Sequence, residues 1–445
     1  MAIVSKTGKT GKALENKLQV YFDACISAFD FSGAAAISKD GKRIWTGIAG
    51  HANLEHGVPN TENTKFRLAS VTKPFTAIAI LQLQEKGKLK ISDPISKYFK
   101  KAPRNWKGIT IQNLLTHTSG IPSYTDFPEF DVRKRWTPTE IVETVIARPL
   151  DFKPGEKFYY CNTGYVLLGI VIESVSGKTY EEYLRDHIFK PSGMRNSGVD
   201  NNTMVLKHRA QGYRRDSAQR LDNANYLDMS FPFSAGSLYS TLEDLLRFDT
   251  ALSGGKLLKQ STIEAMLAPG EANYALGWTV EALDGKIITG HAGGIDGFTT
   301  IFERIPEDGY CTTILSNVEA QPVSQMAADF RSIIFGKPFK TPKKFKAVKV
   351  DPAGFKDFEG EYELAPGFII TITREDDSLM AQASGQEKLA LIPSSSHQFF
   401  FARLYAQISF NRDKNGRVTE LILHQNSQEQ QAKRIAKRSK TRKKR

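Results

Sequence analysis

Cysteine is scarce in this sequence, since Cys25, Cys161 and Cys311 are the only three in 445 residues. An odd number of widely spaced cysteines argues against a disulfide framework and is typical of a reducing compartment. No window approaches the roughly 18–20 uncharged apolar residues that a membrane-spanning helix needs. Charged side chains interrupt every apolar stretch near the N-terminus, so the pattern of a signal peptide is missing. We therefore expect a cytoplasmic protein without a membrane span.

A basic face is also missing, although the net charge is +13. Nine lysines and arginines lie within Lys433 to Arg445, and the remaining 432 residues carry only +4. Such a run is typical of a solvated end, and no signature of an RNA- or DNA-binding module accompanies it. We therefore expect residues 431–445 to form a basic, disordered tail and nucleic acid not to be a partner.

The motifs of several enzyme classes are absent. The sequence contains no G-x-S-x-G nucleophile elbow, no H-E-x-x-H zinc motif and no G-x-x-x-x-G-K-[ST] phosphate loop. It also lacks a G-x-G-x-x-G that follows a strand and opens a helix. These absences disfavour the hydrolases, metallopeptidases, nucleotide-binding proteins and dinucleotide-binding proteins that depend on those motifs.

Hydrophobic periodicity predicts a mixed domain over residues 1–336. An Asp40-Gly41 pair between two apolar runs predicts a β-hairpin. Strand patterns return at 286–315, and helical patterns fill the sequence between the hairpin and these strands. Strands at both ends with helices between them indicate an α/β (α+β) domain whose sheet is closed by the two ends of the domain.

A second architecture is predicted after this domain. Lysines and prolines replace core residues in 337–352, which is typical of a linker. In 353–430, short apolar runs alternate with polar turns. This pattern predicts a small antiparallel β-barrel domain.

The pattern S-x-x-K occurs at Ser70-Val-Thr-Lys73 and again at Ser253-Gly-Gly-Lys256. Ser253 leads from a helix end into two glycines, a turn that presents no side chain rigidly. Ser70 precedes a strongly helical run, where unpaired N–H groups favour developing negative charge. Spacing i, i+3 places the Lys73 amine on the same helical face, and an amine with a lowered pKa can accept the serine proton. A plain helix N-cap is the alternative for Ser70.

Two further motifs occur once each. Tyr160-Cys161-Asn162 is the Y-x-N of the sequence; a phenol held near lysines can have a lowered pKa and act as a base. His291-Ala-Gly293 is the H-x-G, at the end of a predicted strand. Small residues there allow close approach of a ligand backbone, with the next N–H placed for an oxyanion hole. A core tyrosine and a simple His-Gly turn are the alternatives.

Together and in this order, the three motifs resemble those of the serine β-lactamases and penicillin-binding proteins. The similarity is to the class C-like branch with D-aminopeptidases, D-Ala-D-Ala carboxypeptidases and esterases. Surrounding phrases match as well, among them Phe66-Arg-Leu-Ala-Ser-Val-Thr-Lys73, Ile111-Gln-Asn-Leu-Leu-Thr-His-Thr-Ser-Gly-Ile121 and Gly290-His-Ala-Gly-Gly294. The resemblance covers about residues 15–335 and implies a β-lactamase/transpeptidase-like fold, with an antiparallel sheet flanked by helices. The C-terminal unit looks like the small barrel appended to some family peptidases.

The resemblance also implies roles for the residues of the first two motifs. Ser70 is the acylated nucleophile, and Lys73 accepts its proton. Tyr160 shuttles a proton to the leaving group and acts as the base in deacylation. Asn162 orients the substrate amide and Lys73. Cys161, where serine or alanine is common, is expected to point away from the site.

The third motif is implied to bind the substrate. His291 stands where other members have the lysine of K-T-G, and it is expected to tune Tyr160 and contact the substrate with Gly293. The N–H groups of Ser70 and Gly294 form the oxyanion hole. No metal and no cofactor is implied.

The implied activity is that of a serine hydrolase that forms an acyl-enzyme on a small molecule or short peptide. A peptidase or amidase is favoured, with specificity for D-residues left open. A carboxylesterase is the main alternative, because the fold tolerates easier leaving groups. A β-lactamase is disfavoured by the missing K-T-G lysine, and a non-catalytic penicillin-binding protein by the intact motifs. Homo-oligomerisation stays open, and deletion of 433–445 is expected to leave turnover unchanged.

Overall fold

The computed structural model describes residues 9–216, 220–384, 386, 388–401, 404–425 and 428–435. In these ranges the α-helices are α1 (Lys9–Phe29), α2 (Thr72–Glu85), α3 (Ile111–Leu115), α4 (Pro138–Ile146), α5 (Asn162–Ser176), α6 (Tyr180–Leu184), α7 (Lys190–Ser192), α8 (Phe233–Gly236), α9 (Leu242–Ser253), α10 (Gln260–Met266) and α11 (Val323–Ile334). None of the described helices is long and apolar enough to cross a membrane.

The strands of the first part of the chain are β1 (Gly33–Lys39), β2 (Lys42–Ala49), β3 (His51–Asn53), β4 (Val58–Pro59), β5 (Phe66–Arg67), β6 (Gly198–Val199), β7 (Tyr213–Arg215), β8 (Leu221–Asn223), β9 (Leu238–Ser240), β10 (Thr279–Leu283), β11 (Lys286–Ile295), β12 (Phe298–Ile305) and β13 (Tyr310–Ser316). Those of the C-terminal part are β14 (Gly360–Ala365), β15 (Phe368–Glu375), β16 (Ser378–Ala383), β17 (Lys388–Pro393), β18 (Gln398–Phe401), β19 (Gln407–Arg412), β20 (Val418–Gln425) and β21 (Gln428–Arg434).

The chain divides into two compact units. The larger comprises Met1–Gln19, Ser32–Tyr213 and Asn223–Glu319. The smaller comprises Val20–Phe31, Arg214–Asp222 and Ala320–Arg445.

A six-stranded antiparallel sheet forms the larger unit's β layer, in the order β10-β11-β12-β13-β1-β2. The hairpin expected at Asp40-Gly41 joins β1 to β2, and both residues have positive φ, as this kind of turn requires. The early strand β1 pairs with the late strand β13, with Gly33 opposite Ser316 and Lys39 opposite Tyr310. The α/β fold with a sheet closed by the two ends of the domain is therefore confirmed.

Helix α2 lies in the middle of the larger unit. All of its residues from Thr72 to Leu83 are buried, and its side chains belong to the same hydrophobic core as those of α5 and α9. A helix that is enclosed on every side has no solvent face. Any charged residue on α2 is consequently held in an apolar environment, which is the situation of Lys73.

The C-terminal strands β14 to β21 close into an eight-stranded antiparallel barrel, which confirms the predicted barrel. Its interior is filled by a separate core that includes Phe358, Phe399 and Phe410. The last strand places residues 431–434 in the barrel, where the Arg434 guanidinium donates hydrogen bonds to the Val418 and Glu359 carbonyls. These four residues are therefore not part of a tail, while residues 436–445 lie outside the described range.

Candidate active site

Ser70 lies in a 3-10 turn, Ala69–Val71, directly before α2. Ala69 has a φ of 48°, a left-handed conformation that is costly for a residue with a Cβ. Backbone strain of this kind persists only where the surroundings fix it, and it is concentrated at functional sites. The turn thus presents a partly exposed Ser70 side chain at the N-terminus of a buried helix.

The amine of Lys73 is the centre of a buried hydrogen-bond network. Its Nζ lies 3.0 Å from Ser70 Oγ, 2.9 Å from Asn162 Oδ1 and 2.9 Å from the Ala235 carbonyl oxygen. The side chain is completely buried. Burial lowers the pKa of Lys73 from 10.5 to about 7, because a charged ammonium loses its hydration there.

This hydrogen-bond geometry allows a neutral Lys73 amine to accept a proton. A neutral amine has two N–H donors and one lone pair. The Asn162 and Ala235 oxygens accept only, so they fix the two N–H groups. The lone pair is then left for the hydroxyl of Ser70, 3.0 Å away, within the distance required of a general base.

Asn162, the first residue of α5, is held in place by its own neighbours. Its backbone N–H donates to Ser123 Oγ at 3.0 Å, and its Nδ2 donates to Thr125 Oγ1 at 3.1 Å. These contacts leave Oδ1 turned toward Lys73. The structure therefore brings Asn162 to the position expected from the Y-x-N motif.

Tyr160 lies beside the same pair. Its hydroxyl interacts with the Ser70 side chain, and its ring centroid is 4.7 Å from Lys73 Nζ. Burial raises the pKa of Tyr160 above its usual value of 10, so the lowered pKa expected from nearby lysines is wrong. The physical reason is that the low-dielectric surroundings disfavour both the phenolate and the ammonium that was to stabilise it.

His291 lies on β11 and is buried, with both ring nitrogens engaged inside the protein. Nδ1 is 2.6 Å from the Ala292 carbonyl oxygen, and Nε2 is 3.0 Å from the hydroxyl of Tyr274. A carbonyl only accepts, so Nδ1 carries the proton and Nε2 accepts from Tyr274. Burial lowers the pKa of His291 to about 3. Its ring is 6.2 Å from that of Tyr160, and the expected contact of His291 with a substrate stays a prediction.

The glycines of the third motif bring β11 against the nucleophile turn. A Cβ on Gly293 would lie 2.3 Å from the Leu68 carbonyl oxygen and 2.5 Å from Thr300 Oγ1. A Cβ on Gly294 would meet nothing within 4 Å, because this residue faces open space. Gly294 and Ser70 both line one pocket, as the expected oxyanion hole requires.

This pocket, called here the Ser70 pocket, has a volume of about 210 Å³. Its walls are mostly apolar, and among the lining residues that the structure describes Asp296 is the one with a charge. The lining residues are Ala69, Ser70, Tyr124, Thr125, Val132, Asn162, Leu227, Phe231, Pro232, Ala235, Gly236, Gly294, Ile295 and Asp296. In the described part of the chain no group of three or more histidine, cysteine, aspartate or glutamate side chains is arranged to hold a metal ion.

His117 is a site residue for which the sequence suggested no role. Its ring lies 4.2 Å from the ring of Tyr160 and 4.7 Å from that of Tyr274. Its Nδ1 accepts the Cys161 N–H at 3.0 Å, which fixes the backbone between Tyr160 and Asn162. The sequence Leu-Leu-Thr-His-Thr-Ser-Gly, which contains His117, matches the family and could have marked this histidine as a site residue. A single histidine does not, however, indicate which distant segment it contacts.

Two other sequence expectations have plain outcomes. The thiol of Cys161 points into the interior, as expected, where it donates to the Ile121 carbonyl at 3.1 Å. The second S-x-x-K does not form a site, since Lys256 is exposed and the Arg304 guanidinium donates to Ser253 Oγ at 2.7 Å.

The sequence model of the Beta-lactamase family matches residues 22–333. The chain belongs to the Beta-lactamase family. Residues 344–436, which include the barrel, match a Domain of unknown function (DUF3471).

Similar proteins match between 73% and 94% of the chain. Penicillin-binding protein 4* of Bacillus subtilis (strain 168) is 31% identical over 445 aligned positions, which cover 93% of this chain and 97% of that protein. The octameric penicillin-binding protein homologue from Pyrococcus abyssi has a TM-score of 0.66 at 26% identity and covers 94% of this chain and 99% of its own. The D-amino acid amidase from Ochrobactrum anthropi SV3 has a TM-score of 0.65 at 27% identity. The match covers 73% of this chain and 99% of the amidase chain. The resemblance drawn from the three motifs is thereby confirmed.

Proposed function

We propose that this protein is a serine amidase or peptidase that works through an acyl-enzyme on Ser70. The observation that carries the proposal is the contact between Ser70 Oγ and an amine, Lys73, whose pKa is lowered to about 7 by burial. Similarity to a D-amino acid amidase supports amide bonds as the substrate class. No cofactor takes part in the proposed reaction.

In the proposed acylation step, the neutral Lys73 amine takes the proton of the Ser70 hydroxyl as Oγ attacks the substrate carbonyl carbon. The negative charge that develops on the carbonyl oxygen is stabilised by the N–H groups of Ser70 and Gly294. As the C–N bond breaks, the proton on Lys73 reaches the leaving amine through the hydroxyl of Tyr160, which interacts with the Ser70 side chain. Water then attacks the ester by the reverse proton path.

His291 and His117 serve this scheme indirectly. His291 fixes the hydroxyl of Tyr274, and His117 packs on the ring of Tyr160. Both histidines are neutral, since burial lowers their pKa values. Their proposed function is to hold Tyr160 over Ser70 without placing a second positive charge beside Lys73, which would hinder its protonation.

The proposal is tested with wild-type protein, Ser70→Ala and Ser253→Ala. The substrates are a p-nitrophenyl ester, a D-alanine p-nitroanilide, a D-Ala-D-Ala peptide and a chromogenic cephalosporin. We expect turnover that is abolished by Ser70→Ala and kept by Ser253→Ala, because Ser253 is the serine of the second S-x-x-K and lies outside the site. Intact mass during slow turnover locates the acyl group on Ser70.

The same four substrates distinguish the amidase from the alternative functions. A higher kcat/KM for the p-nitroanilide or the peptide than for the cephalosporin supports the amidase, and ester turnover alone supports a carboxylesterase. Equal activity of Ser70→Ala and wild type contradicts the acyl-enzyme. The cytoplasmic location stays a prediction.

A further inference from the structure

The carbonyl group of Leu68 lies directly before the strained residue of the nucleophile turn. Ala69, with its φ of 48°, follows it, and the N–H of Ser70 comes one peptide later. Because peptide bonds are planar, the direction of that N–H depends on how the Leu68 carbonyl and Ala69 are held. A left-handed alanine persists only where its surroundings fix it. The groups that hold the Leu68 carbonyl therefore decide where one donor of the expected oxyanion hole points.

Thr300 on β12 holds this carbonyl from the sheet. Its hydroxyl donates to the Leu68 carbonyl oxygen at 2.9 Å, and its side chain is completely buried. The same oxygen accepts the Val71 N–H at 3.2 Å, so both of its lone pairs are used. The Val71 bond is internal to the turn, whereas the Thr300 bond ties the turn to the sheet.

The opposite side of Leu68 is fixed separately. Its N–H donates to the Leu238 carbonyl oxygen at 2.7 Å. The Leu238 N–H in turn donates to Thr72 Oγ1, at the start of α2, at 3.1 Å. Strand β9 thus anchors the N–H side of Leu68, and Thr300 anchors the carbonyl side that leads to Ser70.

Thr300 also lies beside the strand that carries the second donor. It is opposite Gly293 in the pairing of β11 with β12, and Gly294 is the next residue of β11. A Cβ on Gly293 would overlap both the Leu68 carbonyl oxygen and Thr300 Oγ1. The turn, the hydroxyl and β11 therefore meet at one point, where the hydroxyl sets the spacing between the turn and the strand.

We infer that Thr300 is a positioning residue, which keeps the N–H groups of Ser70 and Gly294 at the separation that a tetrahedral intermediate requires. Thr300 is not among the described residues that line the Ser70 pocket, so it acts through the two donors and not on the substrate. Its hydroxyl bonds to a backbone carbonyl and not to Lys73, so its loss lowers the rate without moving the pH dependence. This inference rests on the proposed acylation of Ser70.

The test compares Thr300→Val, Thr300→Ser and Thr313→Val with wild type. Valine replaces the hydroxyl by a methyl of similar size, and serine keeps the hydroxyl. Thr313→Val is the matched control, because Thr313 is a buried threonine of β13 whose hydroxyl has no hydrogen-bond partner in the described part of the chain. Melting temperatures show that each variant is folded. Thr300→Ala, which lacks the hydroxyl and adds no atoms, replaces the valine variant if that one does not fold.

The rate to measure is the modification of Ser70 by a fluorophosphonate, followed by intact mass between pH 5 and 9. Ser70 Oγ displaces fluoride from phosphorus while Lys73 takes the serine proton, and the phosphoryl oxygen occupies the oxyanion hole. Thr300→Val should lower this rate by about tenfold or more, since loss of one donor from such a hole costs about a hundredfold to a thousandfold. Thr300→Ser and Thr313→Val should keep most of the wild-type rate. The pH midpoint should stay at about 7 in every variant.

A loss in Thr300→Val that serine restores, with the midpoint unchanged, supports the inference. Equal rates in Thr300→Val and wild type overturn it and leave the amidase intact. An equal loss in Thr313→Val, or a shifted midpoint, overturns it as well, because the effect is then a general disturbance of the sheet or acts through Lys73. A wild type that is modified at Ser70 but hydrolyses no anilide or peptide overturns the amidase alone, and a Ser70 that is never modified overturns both.

Discussion

At the scale of single residues, the protonation state of Lys73 sets the pH dependence. Its pKa of about 7 means that the amine is protonated and unable to accept the Ser70 proton in acid. We predict that kcat/KM rises with pH through about 7 and then levels off. Tyr160 keeps its proton over this range, because burial raises its pKa, and His291 is already neutral, with a pKa of about 3. Initial rates at low substrate between pH 5 and 9 measure this profile, and a rate that falls as the pH rises through 7 would contradict it.

The substitution Asn162→Asp tests separately whether the pKa of Lys73 sets the pH dependence. It places a carboxylate where Oδ1 now lies 2.9 Å from Lys73 Nζ. A negative charge at this distance favours the ammonium and raises its pKa by about 1–3 pH units. The rising limb of kcat/KM should move upward by that amount, with activity partly recovered at pH 9. A uniform loss at every pH would mean that Asn162 acts on the substrate alone.

The sequence predicted the residues that touch the nucleophile but not the groups behind them. Ser70 and Lys73 are three apart on one helix, so local geometry is sufficient to bring them together. The Ala235 carbonyl reaches Lys73 from 162 positions away along the chain, and no side chain marks a backbone acceptor. The direction of the Tyr160 pKa shift was predicted wrongly for a related reason, since burial depends on the packed structure rather than on neighbours in sequence.

At the scale of elements, the close approach of β11 to the nucleophile turn depends on Gly293. We predict that Gly293→Ala strongly reduces acylation of Ser70, because the added methyl overlaps Leu68 O and Thr300 Oγ1. Forcing β11 aside costs about 1–3 kcal/mol of stability, as overpacking does in other cores. Gly294→Ala is the matched control for stability, since its methyl meets nothing within 4 Å. Thermal denaturation of both variants gives the comparison, and equal melting temperatures would contradict the steric argument.

The elements themselves were predictable to different degrees. The β1–β2 hairpin follows from Asp40-Gly41, because two residues with positive φ reverse the chain locally. The sequence predicted that strands from the two ends of the domain share a sheet, but it did not predict that β1 pairs with β13. The register of this pair, with Ala35 opposite Ile314, is set by burial on both faces of a central strand and has no local signal.

At the scale of the whole molecule, the residues that give the excess positive charge are not among those that carry out the proposed reaction. The residues of the candidate site and of the Ser70 pocket fall between Leu68 and Thr300 along the chain. Seven of the lysines and arginines that make the chain basic lie in 436–445, after the last strand of the barrel. Deletion of 436–445 lowers the net charge from +13 to +6 while sparing Arg434, whose hydrogen bonds lie within the barrel.

We predict that this deletion leaves kcat/KM for a neutral anilide within about twofold of the wild-type value, because charges that interact through solvent are screened over about 8 Å at physiological salt. Elution from a cation exchanger should move to lower salt, which shows that the removed charges were exposed. The matched control is a deletion that starts at Lys433, which also removes the Arg434 contacts to Val418 and Glu359 and should lower the melting temperature. A loss of activity above tenfold in the shorter deletion, at both low and high salt, would contradict the view that these residues are dispensable for turnover.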